Sequence, residues 1–318
     1  MARKRAIPLV DLSRFTKGDE AARKIFIKKL ANAFREIGFV GVINHGIAKG
    51  LVNKFYEESK AFFNQPVEKK LKYEIKGLAG QRGYTSFGKE HAKQSKVADL
   101  KEFFQIGQEV AGKDGIRREY PKNVYVRERP QFLATGLKLY KSFEKSGAQL
   151  LKAIAIHLDL GEKYFDARIK NGNSILRAIY YPPIIAEPKS AIRAEQHEDI
   201  NLITLLVGAS AGGLQVLNLD HEWLDVVPQQ DEIVINVGDM LQRLTNNYLK
   251  STTHRVVNPP REEWYKPRLS IPFFLHPRSE MDLTCLPFTV SKTNPPHYPP
   301  ISAGEYLAER LREIGLKK

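Results

Sequence analysis

The chain has 318 residues, of which 42% are hydrophobic and 27% charged, the balance of a soluble globular protein long enough to bury a substantial core. Its single cysteine, Cys285, excludes an internal disulfide and fits a buried thiol in a reducing cytoplasm; no apolar run approaches a membrane span, and Met1 to Arg5 lead into a strand-like segment rather than a leader. The net charge of +14 raises the question of nucleic acid. Against that, the basic residues are spread (Lys24, Lys28 and Lys29; Lys69, Lys70 and Lys72; Lys138 and Lys141; Arg310 and Arg312), there is no zinc-finger spacing, and no aromatic RNA-binding signature, so nucleic acid is set aside.

In chain order, the first periodic segment predicts a helix from about Asp19 to Ile37. Ala22, Ile25, Phe26, Leu30, Ala33, Phe34 and Ile37 keep helical spacing, and Gly38 is a natural stop. A second helix is expected over about Glu57 to Phe63, and a long one from near Leu133 to Leu158, with Leu137, Tyr140, Phe143, Leu150, Leu151 and Ile154 on its apolar stripe. From Ser174 the pattern changes to short β-branched runs between turn residues. Ile175 to Tyr181, Asn201 to Val207, Leu214 to Leu217, Trp223 to Val227, Ile233 to Val237, Thr253 to Val257 and Arg268 to Leu275 read as strands. Ser302 and Glu305 form a capping box that opens a tail helix reaching Ile314. The expected fold is mostly β with flanking helices: a double-stranded β-helix (jelly roll) core, a helical N-terminal region and a C-terminal helix. The expected segments are an N-terminal region (1–130), a connecting long helix (131–172), the core (173–280) and a C-terminal connector and helix (281–318).

Chemistry concentrates in Gln196-His197-Glu198-Asp199-Ile200, followed after 54 intervening residues (200–253) by His254. Two histidines and one carboxylate form a facial triad that leaves coordination positions open on non-haem Fe(II). Residues two apart on a strand point to one face, so His197 and Asp199 can meet the same ion while Glu198 turns away. A His-x-Asp pair alone carries little, since eight histidines among 36 acidic residues will produce some by chance. The pair Arg268 and Ser270 strengthens it. A guanidinium and a hydroxyl on one face of an apolar strand suit a carboxylate.

These segments, with Arg82-Gly83-Tyr84, Asp99 to Gly107, Tyr180-Tyr181-Pro182-Pro183, Gly212 to Val216, Gly238-Asp239-Met240-Leu241 and Arg268 to Phe274, resemble the isopenicillin N synthase-like family of 2-oxoglutarate/Fe(II)-dependent oxygenases nearly end to end. The resemblance implies an oxidoreductase of the dioxygenase class. Fe(II) is held by His197, Asp199 and His254; 2-oxoglutarate chelates it and reaches Arg268, Ser270 and Tyr181 with its distal carboxylate. Oxidative decarboxylation with O2 then releases succinate and CO2, and a C–H bond of a small organic molecule is hydroxylated, desaturated or closed into a ring. Ile179 stands where Asn often does, a departure in the frame around the keto acid.

Alternatives remain open at this point. An isopenicillin N synthase-like oxidase would use the same Arg268 and Ser270 on the carboxylate of a peptide-like substrate, without 2-oxoglutarate. A zinc hydrolase would leave that pair unexplained, and a non-catalytic binding module would leave the triad unexplained. Substrate candidates are Arg82, Tyr84, Ser86 and Phe87 from the front segment and Phe274 from the core. An anionic small molecule is compatible with field steering by the positive chain, no membrane partner is expected, and a monomer is.

Overall fold

The computed structural model describes residues 6–78, 80–91, 97–208, 210–229 and 231–313. Met1 to Arg5 and Ile314, to which expectations above extend, lie outside them. The front contributes β1 (Leu9–Asp11), α1 (Ser13–Thr16), α2 (Glu20–Glu36), β2 (Phe39–Ile43), α3 (Lys49–Phe63), α4 (Val67–Leu71), β3 (Gly83–Thr85) and β4 (Glu102–Gly107). Then come α5 (Pro130–His157), α6 (Asp166–Ile169), β5 (Ile175–Tyr181), β6 (Ala194–His197), β7 (Ile203–Val207), β8 (Leu214–Leu217) and β9 (Trp223–Asp225). β10 (Ile233–Val237), α7 (Asp239–Leu244), β11 (His254–Val256), β12 (Arg268–Leu275) and α8 (Ala303–Glu313) complete the order.

The strands form two sheets, an eight-stranded one in the order β1-β2-β10-β7-β12-β5-β4-β3 and a four-stranded one in the order β6-β11-β8-β9. This is the expected jelly roll, extended by strands from the front: β1 and β2 join one edge of the larger sheet, β3 and β4 the other. Its outer face carries α5, whose Phe143 stacks on Phe273 at 5.3 Å between ring centres. Gly147 lets this helix approach closely, because a Cβ there would lie 2.3 Å from Leu275 Cδ1. A second, smaller apolar cluster lies between the sheets and includes Phe39, Phe103, Val216, Val234 and Val256. Strand β12 serves both sides. Leu269, Ile271, Phe273 and Leu275 belong to the helix-side core, while the alternate residues face the gap between the sheets.

Several boundaries move. α3 begins at Lys49, eight residues before the expected Glu57, because its N-cap Ala48 makes no side-chain bond and Gly50 weakens the local helical signal. α5 begins at Pro130, the residue type that suits a first helical turn. In the tail the capping box forms as expected. The Ser302 hydroxyl and backbone N–H both donate to Glu305 Oε2 (2.6 and 3.0 Å), and the Glu305 N–H donates back to Ser302 Oγ. α2 stops at Gly38, whose φ of +70° and whose position 2.4 Å from both Lys250 O and Thr252 Oγ1, measured from an added Cβ, leave no room for a side chain.

Candidate active site

Alternation on two paired strands builds one wall of a cavity of about 580 Å3. β12 supplies Arg268, Ser270, Pro272 and Phe274; β5 supplies Ile175, Arg177, Ile179 and Tyr181. Antiparallel register sets Arg268 opposite Tyr181 and Ser270 opposite Ile179. The facing wall comes from the smaller sheet, with Ala194 and His197 on β6, His254 and Val256 on β11 and Leu214 on β8. Leu307 and Leu311 of α8 close one side.

His197 and His254 are register partners on β6 and β11, with ring centres 4.4 Å apart. One ligand atom from each of His197, Asp199 and His254 lies within 4.8 Å of the others. Each imidazole Nε2 stands 3.9 Å from Asp199 Oδ1. The orientation is fixed from behind. Nδ1 of His197 contacts the Glu195 carbonyl at 2.7 Å and Nδ1 of His254 the Thr252 carbonyl at 3.1 Å. A carbonyl can only accept, so both Nδ1 atoms carry the proton and both Nε2 lone pairs point inward. Asp199 Oδ2 accepts from Thr204 Oγ1 (2.6 Å) and Asn236 Nδ2 (2.8 Å), which leaves Oδ1 as the inward oxygen. Strand alternation does not place Asp199, because β6 ends at His197. The irregular segment after the strand carries the carboxylate inward instead, tied where Asp199 O accepts from the Asp239 N–H at 2.7 Å.

Charge states suit a divalent ion. Burial and the neighbouring His254 push the His197 imidazole down to about 4, so it is neutral at physiological pH. Burial acts to raise Asp199, but the two imidazoles and the bonds from Asn236 and Thr204 hold it below the usual carboxylate range. Glu198 accepts from Thr253 Oγ1 at 3.0 Å and lines the cavity beside Asp239, without joining the three converging groups. Burial and Glu198 push the Asp239 carboxyl up to about 7.

Arg268 is 2% exposed. Its Nε donates to the carbonyls of Ala211 and Gly212, both at 3.1 Å, and its guanidinium lies 5.0 Å from the centre of the Tyr181 ring. Its Nη1 is buried with no hydrogen-bond partner among the described residues. Arg193, which no local motif marks, lies 6.0 Å from the same ring; burial, then the charge of Arg268, push its guanidinium down to about 10.

The other end of the cavity is internally satisfied. Arg177 Nη1 meets both oxygens of Glu90 (3.1 and 3.2 Å), and Lys101 pairs with Glu90 and Asp99, each at 2.7 Å. Burial works to raise Glu90, yet Arg177 and Lys101 hold it at about 2. His276 borders the same end, with burial as the main cause of an imidazole pushed down to about 4.

Of the substrate candidates, Phe274 lines the cavity and the four from the front segment do not. Arg82 (1% exposed) and Tyr84 (2%) are buried in the core of that segment. Arg82 packs against Gly107, and the Tyr84 hydroxyl donates to Glu102, which also holds Lys70. Ser86 and the half-exposed Phe87 lie off the wall. Pairing of β3 with β4 turns this stretch inward, which its local polarity concealed. The residues that sequence reasoning missed are Arg177, Glu90, Lys101, Asn236 and His276. Counting back by twos from Tyr181 reaches Arg177, and counting forward from Phe274 reaches His276; the others have no local signal.

Residues 172–277 match the 2OG-Fe(II) oxygenase superfamily, and residues 7–128 match the family described as non-haem dioxygenase in morphine synthesis N-terminal. A 2-oxoglutarate-Fe(II) type oxidoreductase of Emericella nidulans is 29% identical, with 93% of this chain and 87% of that protein covered. Kihadalactone A synthase of Citrus sinensis is 32% identical over 90% and 87%. Among solved structures, a 2OG-Fe(II) oxygenase family protein from Caulobacter crescentus superposes with a TM-score of 0.88 at 41% identity, covering 98% of this chain and all of that one. A full-length Neurospora crassa protein, solved in complex with alpha-KG and thymine, superposes with a TM-score of 0.84 at 30% identity, covering 98% of each chain.

Proposed function

The chain belongs to the 2OG-Fe(II) oxygenase superfamily, as a 2-oxoglutarate- and Fe(II)-dependent dioxygenase, and on that premise we propose that His197, Asp199 and His254 hold the iron while Arg268, Ser270 and Tyr181 receive the distal carboxylate of 2-oxoglutarate. Fe(II), 2-oxoglutarate and O2 together supply the oxidising power that attacks a substrate C–H bond, with release of succinate and CO2. The residues fit these groups. Two neutral imidazoles and a carboxylate with one oxygen already engaged form a donor set for a divalent transition metal. One observation carries the keto-acid assignment. Among the described residues that line the cavity, Lys101, Arg177 and Arg310 each have a carboxylate partner and Arg268 has none. A buried guanidinium with an unpartnered Nη1 is costly, and a carboxylate that accepts from its fork offsets that cost.

Within this arrangement the chain's own work is orientation and exclusion of water. The carbonyls of Glu195 and Thr252 fix the imidazole planes, Thr204 and Asn236 fix the carboxylate, and Phe39 packs edge-on against His254 with ring centres 5.4 Å apart. Leu206, Leu214 and Val256 keep the surrounding wall apolar. The substrate is a small molecule lodged in the same cavity. Because Lys101 and Arg177 are already neutralised, the wall favours an uncharged substrate over the anionic one that the net charge suggests. No helix of the described residues is long and apolar enough to cross a membrane. A cytoplasmic monomer that folds as front (1–130), connecting helix (131–172), core (173–280) and tail (281–318) completes the reading.

The test is an anaerobic titration of the Fe(II) protein with 2-oxoglutarate, followed by the weak visible band of a metal-chelated keto acid. The band should appear, and Arg268→Lys should weaken binding sharply while iron stays bound, since an ammonium lacks the planar fork. If no band appears, and oxygen is consumed with a peptide and without the keto acid, Arg268 and Ser270 hold a substrate carboxylate instead.

A further inference from the structure

We propose that the end of the cavity remote from Arg268 recognises a hydrogen-bond donor on the substrate, with His276 and Asn173 as paired acceptors, so that the substrate is an uncharged molecule presenting an N–H or O–H group. The proposal rests on the cavity being the substrate site of the oxygenase and names what that site reads.

His276 follows the last residue of β12, and Asn173 lies two residues before β5, the strand that pairs with it. Both line the cavity. The two chain ends are bolted together. Asn173 N–H donates to the Pro277 carbonyl at 3.1 Å, the His276 N–H donates to Ser174 Oγ at 3.1 Å, and that hydroxyl donates to the His276 carbonyl at 3.3 Å. The imidazole is therefore held by its backbone, and its tautomer is fixed too. Nδ1 contacts the Phe274 carbonyl at 3.2 Å, and since that oxygen can only accept, the proton sits on Nδ1.

This leaves Nε2 as a lone-pair acceptor on a side chain that is only 8% exposed, without a partner among the described residues. Asn173 Oδ1 is likewise buried and unpartnered. Two unsatisfied acceptors on adjoining strand ends are unusual, because a buried polar atom without a partner costs free energy that folding normally avoids. The cation on the adjoining strand is turned to other partners. Arg177 gives its Nε to Gln105 and its Nη1 to Glu90. Burial and the positive charges of Arg177 and Arg82 keep the His276 ring neutral, so it cannot itself attract an anion. Ile175, Pro272 and Phe274 give the intervening wall an apolar character. A neutral ring or chain with a terminal amide, ring N–H or hydroxyl satisfies both features; a carboxylate satisfies neither.

The experiment uses the full chain, loaded with Zn(II) and 2-oxoglutarate and labelled with 15N in its imidazoles. It is titrated with probe pairs that differ only in the donor: phenol and anisole, benzamide and N,N-dimethylbenzamide, thymine and 1,3-dimethylthymine. At least one donor-bearing member should bind about fivefold to tenfold tighter than its methylated counterpart, the worth of one hydrogen bond between neutral groups. It should also move the Nε2 resonance of His276 away from its lone-pair position. His276→Asn, which can keep the Phe274 link but loses the distal acceptor, should erase the preference, and His276→Gln should restore most of it. A proton resident on Nε2, methylated probes that bind as well as their partners, or an Nε2 signal that no donor moves would overturn the proposal. The last result would assign the lone pair to an internal water. Affinity for 2-oxoglutarate is measured in the same samples; its loss would count against the keto-acid assignment, while the acceptor proposal is judged on the probe pairs alone.

Discussion

Two arginines on neighbouring strands of one wall meet opposite fates. Arg177 of β5 and Arg268 of β12 both face the cavity by the same two-residue alternation, and both are withdrawn from solvent. Arg177 is neutralised within the protein, by Glu90 across a gap of 87 positions. Arg268 is braced by carbonyls and the Tyr181 ring, and among the described residues one of its nitrogens has no partner. On the proposed function, the difference separates a fixed wall from a receptor. At Arg177 the fold supplies the counter-ion and the charge has a structural role; at Arg268 the carboxylate of the proposed keto acid is what would complete the pair.

The harshest way to break that comparison is to remove what the receptor end is built around. His197→Ala, Asp199→Ala or His254→Ala should abolish iron binding and turnover, read by anaerobic metal titration, whereas Glu198→Gln should bind iron nearly as the parent does. Next comes the receptor itself. Arg268→Ala should abolish measurable 2-oxoglutarate binding with iron still bound, while Arg177→Lys should leave keto-acid affinity within about twofold. Equal losses would erase the distinction between the two ends.

The wall end can be sharpened by pH. Glu90 is held at about 2 in the folded chain, below its ordinary value near 4.5. The folded form therefore binds the proton less readily than the unfolded form. Its contribution, of order 3 kcal/mol from the shift at ~1.36 kcal/mol per pKa unit, is fully present above about pH 4.5 and is lost as pH falls toward about 2. Urea midpoints measured between pH 6 and pH 3 should fall more steeply for the parent than for Glu90→Gln. The smallest effect expected is that of Ser270→Ala, a loss of about 1.5–3 kcal/mol in 2-oxoglutarate binding for one hydrogen bond to a charged group. Isothermal titration would register it, and an unchanged affinity would remove Ser270 from the clamp.

Local pattern made the receptor end readable. Arg268 and Ser270 stand two apart in an apolar run, and β12 has the expected bounds, so alternation alone put both on one face. His197, Asp199 and His254 do converge, but for a partly different reason than periodicity offers, because Asp199 reaches inward from the irregular segment beyond β6, steered by Thr204 and Asn236. The wall end was opaque. Glu90 and Arg177 become partners only when distant segments pair, and no neighbouring residue announces the match. Arg82 and Tyr84 illustrate the same limit from the other side, since polar residues in a glycine-bearing stretch resemble a surface loop until β3 pairs with β4 and buries them.

The close fit at Gly38 links regions that look separable in the chain. That glycine is pressed against Lys250 O and Thr252 Oγ1, and the carbonyl of Thr252 is the one that orients His254. The end of a front helix thus sets the position of the segment proposed to carry an iron ligand, more than two hundred residues away. Exchanging front halves between relatives would transplant that seam along with the helix, and a graft whose seam fits a few tenths of an ångström worse would fold, keep His197, Asp199 and His254, and still misalign the last of them.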